Sequence, residues 1–86
     1  MGRMANPAHP GECLRESVRA VGWTVTEAAR HLGLSRVTTS RLLSGQARLT
    51  AATALAIERL EWGDAEYWMR LQASYDLAQE RRRQAA

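Results

Sequence analysis

The sequence predicts an all-α domain of five helices, and three observations carry that prediction. Apolar residues recur at helical spacing in successive stretches, no stretch alternates as a strand would, and caps or prolines stand where each helix would start. With 86 residues, the chain makes one small domain that must bury most of its apolar side chains in a single core. The expected layout is an extended arm over 1–9, a four-helix core over 10–62, a last helix over 64–82 and a frayed tail over 83–86.

The first helix follows two prolines, with Pro10 and the early acid Glu12 favouring its start. Leu14, Val18 and Val21, beside Cys13, Ser17 and Ala20, give it a broad inward face until Gly22 ends it. Thr24 with Glu27 three residues later reads as a capping box, so a second helix opens there and buries Ala28, Ala29 and Leu32. Gly33 stops that helix, Leu34 tucks inward, and Ser35 caps a third whose inward residues are Thr39, Leu42 and Leu43. Its opposite face is Arg36, Val37, Ser40 and Arg41. Ser44 and Gly45 end it, and a polar loop leads to Thr50, the cap of a fourth helix with Ala54, Ile57 and Leu60 inward. Gly63 and Asp64 restart the chain, and the fifth helix carries Trp68, Leu71, Tyr75 and Ala78 at steps of three, four and three, flanked by Tyr67 and Leu77.

The stretch from Val25 to Gly45 has the spacing of a DNA-reading helix-turn-helix. Gly33 lies four residues after Ala29 and two before Ser35. A small residue for close crossing, a glycine for the left-handed turn and a cap for the reading helix thus fall in order.

Charge supports the same stretch. Met1 to Glu27 sums to zero, Ala28 to Ile57 holds four arginines and no acid, and the remainder sums to −1. The whole excess of +3 therefore lies on and just after the reading unit, where phosphates would be met. All twelve basic residues are arginine, suited to forked contacts with phosphate or guanine. On the exposed face, Arg36 and Arg41 are the first candidates for guanine, and Val37 for a thymine methyl. Thr24 and Thr26 are candidates for phosphate, although Thr24 also has a purely structural reading as a cap. Arg48, in the loop after the reading helix, is a third phosphate candidate. Arg30 and His31 are weaker ones.

Other function classes find little support. The two histidines are far apart, and no HExxH, CxxC or glycine-rich phosphate loop is present. Neither catalysis, a metal nor a cofactor is expected. Cys13 has no second cysteine to pair with and reads as a small core hydrophobe. No apolar run approaches membrane-spanning length and no hydrophobic signal region opens the chain, so the expected setting is cytoplasmic, with no membrane partner.

Three stretches together resemble the HigA-like, or VapI-like, antitoxins of the XRE/Cro (lambda-repressor-like) helix-turn-helix group. They are NPAHPGECLRE, TEAARHLGLSRVTTSRLLSGQARLT and EYWMRLQASYDLAQ, which span Asn6 to Gln79. The resemblance implies an all-helical homodimer that represses its own operon and neutralises a HigB toxin, a RelE-like enzyme that cleaves mRNA. By motif position it adds Thr38 to Arg36, Val37, Ser40 and Arg41 as base-reading residues. Two positions depart from the family: Thr39 stands where a larger aliphatic is usual, and Cys13 where isoleucine is common.

A dimer also follows from geometry, because one reading helix covers only a few base pairs and symmetric operators need two. The fifth helix is the expected seam, with Trp68, Leu71 and Tyr75 packing partly within the subunit and partly across a two-fold. Two other functions remain open from the residues alone. One is a stand-alone regulator without a toxin. The other is a protein-interaction module with secondary DNA binding, which the aromatic last helix and Val25, in place of the group's usual glutamine, would suit.

Overall fold

The computed structural model describes residues 7–86, and the expected arm lies outside the described residues for positions 1–6. Five helices follow in chain order: α1 (Pro10–Ala20), α2 (Val25–Leu32), α3 (Arg36–Leu43), α4 (Ala51–Arg59) and α5 (Ala65–Ala85). The described residues contain no strand.

Each expected cap is in place. Thr24 accepts the Glu27 N–H at 3.1 Å while the Glu27 carboxylate accepts the Thr24 N–H at 2.8 Å, which completes the capping box of α2. Ser35, Thr50 and Asp64 each accept the N–H three residues on, opening α3, α4 and α5. Gly33 ends α2 at φ 70°, a conformation that L side chains rarely adopt, and so fixes the turn between the two helices.

One core joins all five helices. Leu14 and Val18 of α1, Ala28 and Leu32 of α2, Leu42 and Leu43 of α3, Ala54, Ala56 and Ile57 of α4, and Trp68 of α5 are buried together, with Leu49 from the loop after α3. Thr39 is fully buried as well, and its hydroxyl donates to the Ser35 carbonyl at 2.9 Å. The polar atom is thus satisfied inside its own helix and the departure from an aliphatic residue leaves no unpaired group.

Three expectations change. The inward face of α1 ends at Val18: Ala20 is exposed and Val21 is 48% exposed, because the chain turns away at Gly22 before that last turn reaches a neighbour. Helix α5 continues to Ala85 rather than fraying from 83, held by the Glu80 carboxylate, which accepts from both Arg83 and Gln84. Trp68 lies wholly inside the subunit, 3% exposed, with its indole N–H donating to the Trp62 carbonyl at 2.9 Å. It has no surface left for a partner.

Candidate nucleic-acid interface

Helix α3 is held by its buried side and bare on the other. Thr39, Leu42 and Leu43 sink into the core, and this leaves Arg36, Val37, Thr38, Ser40 and Arg41 exposed. Val37 is 68% exposed, an apolar side chain offered to solvent at the start of the helix. The Ser35 hydroxyl accepts the Thr38 N–H at 3.0 Å and donates to the Thr38 hydroxyl at 2.9 Å. Thr38 therefore keeps its own proton for an outside acceptor. Arg41 bends back to donate to the Gln46 carbonyl at 3.2 Å, whereas Arg36 makes no hydrogen bond among the described residues. The face as a whole combines two guanidinium forks, two hydroxyls and one wholly apolar side chain, groups of the kind that can contact base edges in a major groove.

The phosphate candidates divide. Thr24 is a structural cap: its hydroxyl oxygen accepts the Glu27 N–H, and the Thr24 N–H and then its hydroxyl hold the Glu27 carboxylate below its usual value. Thr26 is exposed on the first turn of α2, where the Val25 and Thr26 N–H groups precede the first intrahelical bonds and point outward. Arg48 is exposed yet forms an ion pair with Asp76 of α5. Of the weaker candidates, Arg30 is exposed and His31 stacks flat on Trp23, with ring centroids 3.9 Å apart.

Behind the face lies a seam that sequence reasoning missed. His9 is buried at the N-cap of α1, where its Nδ1 accepts the Gly11 N–H at 2.9 Å and its ring meets the edge of Tyr75 at 4.8 Å. Gln72, also buried, accepts the Leu49 N–H at 2.8 Å and donates to Asp76 at 2.9 Å. Burial raises the Asp76 carboxyl, but hydrogen bonds from Arg48 and Gln72 outweigh that and hold it below the usual carboxylate value. The signals were present as a histidine directly before an N1 proline and as glutamine and aspartate four residues apart. Each is too common alone to single out a seam.

Comparison with known proteins places this geometry. A helix-turn-helix domain family matches residues 11–65. The virulence-associated protein A' of Dichelobacter nodosus is 36% identical over 78 residues, which cover 90% of this chain and 68% of that protein. The Pseudomonas aeruginosa antitoxin HigA, solved with the higBA promoter, superposes with a TM-score of 0.81 at 33% identity, over 87% of this chain and 83% of that one. A HigA-family addiction-module antidote protein from Coxiella burnetii gives a TM-score of 0.84 at 28% identity, over 93% and 88%.

The chain belongs to the HigA-like antitoxins of the XRE/Cro helix-turn-helix group.

Membership explains why the likeness runs through the flanks as well as the reading unit, since α1 and α5 are both covered. The HigA-like proteins are a non-enzymatic family of DNA-binding antitoxins. No helix among the described residues is long and apolar enough to cross a membrane.

Cys13 keeps the role its position gives it. It is half-buried against the core, and burial, followed by the nearby Glu16 and Glu12, pushes its thiol above the ordinary value. A thiol held protonated in this way is a poor nucleophile.

Proposed function

We propose that this HigA-like protein acts in the cytoplasm as a homodimeric, sequence-specific repressor of its own operon and as the antitoxin of a HigB/RelE-like mRNA-cleaving toxin. The observation that carries the DNA half is the exposed face of Arg36, Val37, Thr38, Ser40 and Arg41 on a helix whose other side is locked into the core. Thr24, Thr26 and Arg48 supply phosphate contacts around it in this reading. The likeness to an antitoxin solved with its promoter supports it.

The dimer rests on α5. Leu71 and Tyr75 are half-buried and Leu77 is exposed on the same helix, so apolar surface remains there after the subunit has folded. Leu71 and Tyr75 stay in the proposed interface, and Trp68 leaves it.

Fluorescence anisotropy on the DNA upstream of the gene tests the repressor. Salt-sensitive binding that prefers this DNA to a scrambled duplex is expected; equal affinity for both would remove sequence-specific repression. Co-expression with the product of the adjacent open reading frame, expected to be a small basic protein, tests the antitoxin. Copurification with relief of growth arrest is expected, and persistent arrest in the presence of folded antitoxin contradicts the toxin partner. Sedimentation at micromolar concentration should show twice the monomer mass.

A further inference from the structure

The side of α3 that presents Ser40 borders a groove of about 350 Å³ between α1 and α3, closed at one end by the start of α2. Val18 and Leu43 line its base, and because both are buried in the core its shape is set by packing. Its polar rim is Arg15 and Arg19 from α1, Thr24 from the cap of α2, and Ser40 and Ser44 from α3.

Arg15 and Arg19 are four residues apart and so stand one turn apart on one helix face. Both are exposed, and neither forms an ion pair among the described residues, although Glu12 and Glu16 share their helix. In sequence these acids cancel the arginines, which is why the first third of the chain sums to zero. In the fold the two arginines line the groove and the two glutamates do not.

A reading helix seated in a major groove has a sugar-phosphate backbone on each side of it. Ser40 belongs both to the reading face and to the rim, so a duplex docked on α3 runs one backbone past this groove. We propose that Arg15 and Arg19 form a clamp for one backbone phosphate of the bound duplex. The Ser40 hydroxyl would act as an additional donor, whereas the Ser44 hydroxyl already donates to the Arg41 carbonyl at 3.1 Å. Two guanidinium forks suit a phosphodiester, which carries one negative charge over two free oxygens. The clamp rests on the DNA-binding reading above and extends it to α1, outside the helix-turn-helix itself.

The test measures anisotropy on the upstream duplex and on a scrambled duplex between 50 and 200 mM salt, the range over which phosphate contacts change affinity most visibly. It compares wild type, R15Q, R19Q, the double variant and a double lysine variant. The double glutamine variant is expected to lose affinity for both duplexes by the same factor, on the order of tenfold, with a salt slope shallower by about 1. The lysine variant keeps its charges and should keep the slope, which separates a clamp from a folding defect. A wild-type slope in the double glutamine variant overturns the proposal, as does a loss confined to the upstream duplex, which would indicate base reading. R36A, measured alongside, separates the two levels. If R36A loses preference while the double glutamine variant behaves as wild type, the clamp fails and DNA reading stands; if wild type binds neither duplex, both fail together.

Discussion

The exposed face of α3 and the seam beneath His9 are both polar, and they are built by opposite rules. On α3, Arg36, Val37, Ser40 and Arg41 are exposed, and of these only Arg41 makes a side-chain hydrogen bond among the described residues, so packing constrains their identity little. In the seam, His9 and Gln72 are buried and every buried side-chain polar atom among the described residues has a partner. The difference shows how the work is divided. The seam fixes where α3 and its following loop sit, since Gly11 touches the end of α3 and Gln72 holds Leu49, while the bare face is, in the proposed function, what decides recognition.

The comparison is broken most severely at Gly11. A Cβ there would lie 1.9 Å from the Leu42 carbonyl oxygen, which is backbone and cannot rotate aside. Gly11→Ala must push α1 off α3, and we expect a loss of about 3 kcal/mol or more, toward the upper end of overpacking costs. Urea denaturation reads it, and an unchanged midpoint would mean that α1 and α3 slide without penalty. Next in size is Gln72→Leu, which strands the buried Leu49 N–H and should cost about 2 kcal/mol. Reading-face substitutions should leave the same denaturation curve unmoved.

That division also explains what could be read in advance. The five helices, their caps and the inward residues of α3 were legible, because Thr24 with Glu27, Ser35, Thr50 and Asp64 are local signals and amphipathic spacing is local too. The exposed face of α3 was legible as the complement of Thr39, Leu42 and Leu43. The seam was not, since the bond from Leu49 to Gln72 joins residues 23 apart and no local pattern announces it. Trp68 was placed partly at a partner surface for the same reason. Aromatic content marks burial, but not whether the cover is the chain itself or another copy.

Arg36 and Arg41 sharpen the other side of the contrast. Replacing Arg36 by alanine removes a side chain with no internal bond, so stability should hold while discrimination between the operator and single-base variants falls about tenfold at one position, or ~1.4 kcal/mol. Arg41→Ala should relax preference less, because Arg41 is partly tied to Gln46. Competition anisotropy with a panel of single-base operators distinguishes them, and a uniform loss across the panel would move either residue from base to phosphate contact.

A smaller effect separates the two regions by pH. Burial lowers His9, partly opposed by Glu12, the Ala47 carbonyl and Asp76, with Arg48 adding to the lowering. Its Nδ1 must stay unprotonated to accept from Gly11. The unfolded chain takes up the proton first, near pH 6.5, so stability falls as pH drops below about 6.5 and the loss is complete below the folded value. His9→Asn keeps a cap acceptor without titrating. It should therefore flatten the dependence of the urea midpoint between about pH 7.5 and 5.5.

Arg48 is where the two regions meet, and the effect there should be the smallest. Its guanidinium is exposed yet bound to Asp76 of the seam, so a phosphate contact requires it to share or leave that carboxylate. An exposed pair is worth about 0–1 kcal/mol, and a DNA phosphate can compete on nearly equal terms. Arg48→Ala should then weaken operator and scrambled DNA alike, about threefold, and lower the salt slope by about 1. Asp76→Asn keeps a partner for Gln72 but releases Arg48, so it should tighten binding to both duplexes slightly. If Asp76→Asn instead weakens binding, the carboxylate is aiming Arg48 at the backbone rather than competing for it. If Arg48→Ala leaves the slope unchanged, Arg48 belongs to the seam alone, and the phosphate contacts on that side of α3 must come from other groups.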